Sequence, residues 1–302
     1  MSPEEPVEGR TSSRLPLARV APEALARARG DAREGLDWLG RPPGVRVTLL
    51  YRLVRLLARA VLFGIFRFRI RSEGRSLIPV EGGYILIAAA HRGWMDPFVV
   101  LHALPMAPRA WFLGSAASTF SSRWRESLIR RIGGLLPVWR GGVGIEQHVR
   151  AARAVLDAGG VFVQMPEGTV SGPPGRVGPF RAGAAVIALR MSAPIVPLAI
   201  AGTDELYIGR RMASRILPAT SIGELLGTGW DGVLPAADTR EEIELARQLG
   251  AAVAARLGPV VEELQAWADD PPDRRRPLRR WLTWLLLGRG RLDRRAGNPP
   301  AS

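Results

Sequence analysis

Between residues 44 and 225 the chain switches repeatedly between two hydrophobic periods. Short, nearly continuous apolar runs bounded by glycine or proline read as buried strands at 84–90, 111–113, 135–139, 161–165 and 195–200. Residues 66–74 alternate apolar with arginine positions and read as a further strand. Between these lie segments with helical spacing at 98–104, 121–132, 144–158 and 182–192, the third closed by Gly159-Gly160. Strands alternating with helices predict an α/β fold, a mixed, largely parallel sheet flanked by helices. Residues 216–219 are the candidate for a last strand. Thr239-Arg-Glu-Glu242 has the form of a capping box and opens a helix expected to reach about Arg256. Gly258-Pro259 should interrupt it before a second helical stretch to Ala268.

The two ends depart from this alternation. Residues 1–15 are polar, and residues 16–40 carry arginine-rich helical spacing before Arg41-Pro42-Pro43-Gly44 breaks the chain. Residues 46–66 form a strong amphipathic helix. Arg52, Arg55 and Arg59 share one stripe, with Leu50, Leu53, Val54, Leu57 and Val61 opposite. Such a helix can pack on a core or lie among lipid headgroups with its arginines reaching phosphates, and this segment alone leaves both open. Near the other end, Trp281 and Trp284 stand among leucines between arginine runs, a composition suited to a membrane interface. The expected organisation is a disordered, arginine-rich segment at 1–43, a membrane-proximal helix at 44–66, an α/β catalytic core at 67–225, and C-terminal helices with a basic membrane-contact tail at 226–302.

Composition narrows the chemistry. The chain has 302 residues, no cysteine and a net charge of +14. Disulfides, thiol catalysis and cysteine-bound metals are excluded. Every basic residue is arginine, so a P-loop lysine and Schiff-base chemistry are excluded too. Arginine without lysine, with abundant Ala, Gly and Pro, suggests a GC-rich, bacterial genome. The three histidines, His91, His102 and His148, have no metal-ligand spacing, and no metal is expected. The positive charge implies anionic partners. No run reaches the roughly 18 apolar residues of a spanning helix. The polar start has no signal-peptide character. The expected location is peripheral, on the cytoplasmic face of the cell membrane.

The candidate chemistry lies in His91-Arg-Gly-Trp-Met-Asp96-Pro97. His91 follows a predicted strand. Asp96-Pro97 looks like a helix start, with Asp96 as N-cap and Pro97 at the first helical position. A tight connection can fold the two side chains together. A carboxylate holding one ring N–H fixes the tautomer and leaves the other nitrogen as a base. No protein nucleophile accompanies the pair, so the nucleophile would be a substrate hydroxyl. The plainer alternative is a capping Asp96 and a His91 bonded to a backbone carbonyl.

Three further stretches join this one in order: Gly133-Gly-Leu-Leu-Pro-Val-Trp-Arg140, Met165-Pro166-Glu167-Gly168-Thr169 and Ala193-Pro194-Ile-Val-Pro197-Leu198. Together, over roughly residues 66–225, they resemble the glycerolipid acyltransferase superfamily, in particular the 1-acylglycerol-3-phosphate acyltransferases. The resemblance implies His91 as general base and Asp96 as its orienting partner. The acceptor hydroxyl of a lysophospholipid would attack the thioester of acyl-CoA or acyl-carrier protein, without metal, cofactor or acyl-enzyme. It implies acceptor and phosphate binding by Arg140, Glu167, Gly168 and Thr169. The third block departs from the family at Val170, where an arginine is usual. Arg176 or Arg181 would compensate, or the acceptor is another lipid or glycolipid. Trp139 would line the acceptor pocket. Pro194 and Pro197 would shape an acyl-chain wall or belong to an ordinary strand.

Other classes fit less well. A non-catalytic arginine-rich binder of nucleic acid or anionic lipid needs only the charge, but no nucleic-acid-binding signature is present and nucleic acid is not an expected partner. No Gly-x-Ser-x-Gly elbow supports a serine hydrolase. Gly141-Gly-Val-Gly144 lacks the spacing of a dinucleotide fingerprint.

Overall fold

The computed structural model describes residues 46–80, 83–115, 122–138, 145–168, 172–227, 230 and 232–269. One seven-stranded sheet organises them, in the order β1-β7-β6-β2-β5-β3-β4. Its strands are β1 Arg69–Glu73, β2 Tyr84–Ala89, β3 Ala110–Ser115, β4 Leu135–Val138, β5 Val161–Gln164, β6 Ile195–Ala201 and β7 Arg211–Ile216. All neighbours run parallel except β6 and β7, so the sheet is mixed and largely parallel, as the alternating periods predict.

The apolar runs are continuous because the central strands are buried on both faces. In β2, paired to β5 and β6, every residue is buried. Tyr84, Leu86 and Ala88 face one cluster with Val99 and Val100 of helix α2, Asp96–Ala103. Ile85, Ile87 and Ala89 face the opposite cluster, under α5, Ala182–Met191, and α7, Arg240–Asp269. Helix α4, Ile145–Asp157, covers Trp111 and Phe162 towards the β4 edge. The other α-helices among the described residues are α1 Leu49–Arg59, which continues into a π-helical stretch at Ala60–Ile65, α3 Arg123–Ile132 and α6 Ile222–Leu226.

Two expectations need correction, and one open reading is narrowed. The last strand is Arg211–Ile216 rather than 216–219, and it returns antiparallel to β6 with Leu198 opposite Ile216. Its alternation is masked in the sequence because Arg211 and Arg215 interleave with Met212, Ala213 and Ser214, which are buried. Second, α7 runs unbroken through Pro259. An interior proline costs about 3 kcal/mol. Val253, Leu257, Val261 and Leu264 lie on one stripe and are all buried, each contributing roughly 1.5–3 kcal/mol, so packing outweighs the lost bond. That helix packs against β6 and β7, while the basic tail beyond it lies outside the described residues.

The open reading is that of α1, whose arginine stripe is split, with Arg52 and Arg59 exposed. Arg55, in the middle of the arginine stripe, is buried, and Leu49, Leu53, Leu56 and Leu57 are each more than half exposed. The cause lies in α2. The carbonyls of Leu101, His102, Ala103 and Leu104 are beyond reach of that helix's own N–H groups. Arg55 donates to Leu101, Leu104 (3.1 Å) and Pro105 (3.0 Å). Arg75 donates to His102 and Ala103 (2.9 Å). Two cations thus satisfy the negative end of α2, and this attachment points the leucines of α1 outward. Trp124 and Leu128 of α3 are also exposed. Among the described residues no helix is long and apolar enough to cross a membrane.

Candidate active site

The C-terminal end of β2 delivers the chain directly into the His91 loop, and α2 starts five residues later. Asp96 is the first residue inside α2, with Met95 as N-cap and Pro97 following, so the helix starts one residue earlier than the sequence suggests. The shift has a purpose. From inside the helix the carboxylate turns back, and its Oδ2 accepts from His91 Nδ1 at 2.6 Å, from Arg92 N at 2.6 Å and from Gly93 N at 2.8 Å. Asp96 is fully buried, whereas the His91 side chain retains 19 % exposure. With Nδ1 engaged by Asp96, Nε2 is the ring nitrogen available to a substrate.

The Pro-Glu-Gly turn after β5 meets this loop. Glu167 Oε1 accepts from His91 N at 3.0 Å, and Oε2 accepts from Arg92 Nη1 at 3.1 Å. Gly168 has a φ of +66°, and a Cβ there would lie 2.6 Å from Arg181 Cδ and Nε. Glycine permits both the conformation and the approach. Arg181 is the N-cap of α5 and donates through N to Pro166 O (2.9 Å) and through Nε to Glu167 O (3.2 Å). It is otherwise exposed, beside the turn. Arg176 is exposed as well, and its carbonyl accepts from Arg92.

The structure thus brings His91, Asp96, Glu167, Gly168 and Arg181 together and places Arg176 on the adjoining loop. Arg140, Thr169 and Trp139 lie outside the described residues. Pro194 lies elsewhere. It immediately precedes β6, whose Ile195 is level with Ile85, so it is about six residues, roughly 20 Å, from the His91 end of the sheet. There it lines an open cavity with Thr220, Glu224 and Trp230. Pro197 is buried inside β6, level with Ile87. The other histidines are neutral packing groups. His102 lies tilted against Phe63, and burial together with Arg59, Arg75 and Arg55 pushes its pKa down to about 4. Burial also lowers that of His148. Among the described residues no three His, Asp or Glu side chains come together as metal ligands.

Arg92 is the residue that sequence reasoning passes over. It is buried and touches both motifs, donating to His91 O (3.0 Å), Pro173 O (3.1 Å) and Arg176 O as well as to Glu167. Its only signal is its place next to His91. In a chain with 42 basic residues, all arginine, that signal is faint.

Comparison with known proteins bears on the fold and on part of the chain. No curated protein matches the chain. Among solved structures, the crystal structure of the 1-acyl-sn-glycerophosphate (LPA) acyltransferase PlsC from Thermotoga maritima is similar, with a TM-score of 0.53. The similarity covers 80 % of this chain and 87 % of that one at 19 % identity, so it concerns the fold. The family model described as acyltransferase matches residues 69–201, a span that begins with β1, ends with β6 and contains both the His91–Asp96 pair and the Pro-Glu-Gly turn. Residues 69–201 of this chain are thus similar to the acyltransferase family, on a fold shared with that enzyme.

Proposed function

We propose that the protein moves a fatty acyl group from acyl-CoA or acyl-carrier protein to a hydroxyl of a lysophospholipid, with 1-acylglycerol-3-phosphate as the first candidate acceptor. The observation that carries this reading is the 2.6 Å contact between His91 Nδ1 and Asp96 Oδ2 at the C-terminal edge of the sheet. His91 Nε2 takes the proton of the acceptor hydroxyl as its oxygen bonds to the thioester carbonyl. The tetrahedral oxyanion collapses with loss of the C–S bond, and the imidazolium returns the proton to the departing thiolate. Backbone N–H donors would stabilise the oxyanion. The Arg181 guanidinium, exposed beside the Pro-Glu-Gly turn, supplies a cation for the acceptor phosphate where Val170 replaces the family's arginine.

The substrates of such a reaction reside in a bilayer. The outward leucines of α1, with Trp124 and Leu128 of α3 and the arginines among them, form an apolar face with a cationic rim, the composition of an anionic membrane contact. Thiol release from acyl-CoA, followed across a panel of lysophospholipids and repeated with acyl-carrier protein as donor, tests the reading. His91→Ala should abolish release while vesicle binding survives. Undiminished transfer by that variant would remove the mechanism.

A further inference from the structure

A buried ion pair braces His91 from both sides of its main chain. Glu167 accepts from the His91 N–H, and Arg92 donates to the His91 carbonyl, each at 3.0 Å, while the two side chains bind each other at 3.1 Å. Their side chains are 5 % and 0 % exposed for Arg92 and Glu167. Each Glu167 oxygen therefore already faces a protein donor, and the carboxylate presents no surface to a bound acceptor. The far side of the Arg92 guanidinium donates to the carbonyls of Pro173 and Arg176, which ties down the loop carrying Arg176 and Arg181. The fit is close, since a Cβ on Gly178 would come within 2.7 Å of Glu167 Oε2.

Burying two charges costs desolvation that their attraction rarely exceeds. Such a pair is weakly explained by stability and well explained by geometry. Asp96 sets the rotation of the imidazole, but a ring turns about its own Cα, and that Cα is located by the peptide groups on either side. We infer that Arg92 and Glu167 are positioning residues: they fix the His91 main chain and the 172–181 loop relative to one another, and do not themselves contact the acceptor. The inference rests on His91 being the general base.

The test is steady-state kinetics of the full chain, with acyl-CoA as donor and lysophosphatidic acid varied in mixed micelles. The variants are Glu167→Gln, Arg92→Lys, the charge-free double Arg92→Met/Glu167→Gln, and His91→Ala. A misplacement of about 1 Å in a catalytic group costs on the order of 10²-fold in rate. Glu167→Gln should lower kcat by about that factor while acceptor KM moves less than about threefold. Arg92→Lys keeps the charge but not the planar fork, and should fall between wild type and Glu167→Gln. The double variant leaves no unpaired buried charge but strips donors from the His91, Pro173 and Arg176 carbonyls, so it should melt below wild type while staying folded, and it should lose kcat by no more than the worse single change, because the pair acts as a unit. A rise in acceptor KM with kcat intact would assign Glu167 to acceptor binding and overturn the inference. So would unaltered kinetics in the folded double variant. Either result alongside an inactive His91→Ala sinks this inference alone, whereas full transfer by His91→Ala sinks the acyltransfer reading itself.

Discussion

Removing apolar surface from α1 without touching its charges tests whether this helix holds the protein on a membrane. Leu53 is 54 % and Leu57 65 % exposed, so more than half of each side chain has no protein neighbour. Full burial of a leucine contributes roughly 1.5–3 kcal/mol. Inserting the exposed fractions into the acyl boundary should therefore contribute about 1–2 kcal/mol each, or about 2–4 kcal/mol together. At about 1.4 kcal/mol per decade, Leu53→Ser/Leu57→Ser should weaken vesicle partitioning by about 30- to 1,000-fold. The assay is sedimentation with phosphatidylcholine vesicles carrying anionic phosphatidylglycerol, repeated over a range of salt. Arg52 and Arg59 stay in place on the same helix and are exposed, so the salt dependence of the remaining binding should be preserved. The melting temperature should barely move, because both leucines already face solvent. A loss of less than about threefold would refute this role for the helix and move the membrane contact elsewhere.

Four shorter tests address the interior. Asp96→Asn places an amide where one oxygen accepts from His91 and two backbone N–H groups; kcat should fall by roughly 10²–10⁴-fold with little change in acceptor KM, read by thiol release. Arg55→Met strips donors from the Leu101, Leu104 and Pro105 carbonyls and should destabilise the protein by about 3 kcal/mol in urea unfolding, at roughly 1–3 kcal/mol per acceptor left without a donor and with water reaching part of them. Gln164, at the end of β5, is buried with neither amide atom hydrogen-bonded among the described residues, so Gln164→Leu should stabilise the protein by about 1–3 kcal/mol, and a lower melting temperature would show that this side chain has a partner after all. His102 binds its proton less readily folded, with a pKa of about 4 against an ordinary 6.5, so the unfolded chain takes up the extra proton between those values. Stability should then fall as pH drops from about 6.5 towards 4, and urea unfolding of His102→Leu should lose that part of the slope.

Local pattern determined much of this protein. The continuous apolar runs announced central strands buried on both faces, since only a doubly covered strand needs no polar alternation. The spacing of His91, Asp96 and the Pro-Glu-Gly turn marked the candidate site, because each motif sits where a predicted strand ends. Other features were invisible along the chain, for one reason: they depend on groups brought together from distant positions. The arginine stripe of α1 leaves core packing and headgroup contact both open until α2 presents its last carbonyls to Arg55. Pro259 reads as a helix end until the packing of Val253, Leu257, Val261 and Leu264 outweighs it. Arg92 is one arginine among many until the fold sets Glu167 beside it. Periodicity reports how a segment divides water from core. Which partner a buried charge finds is decided only when the sheet has closed.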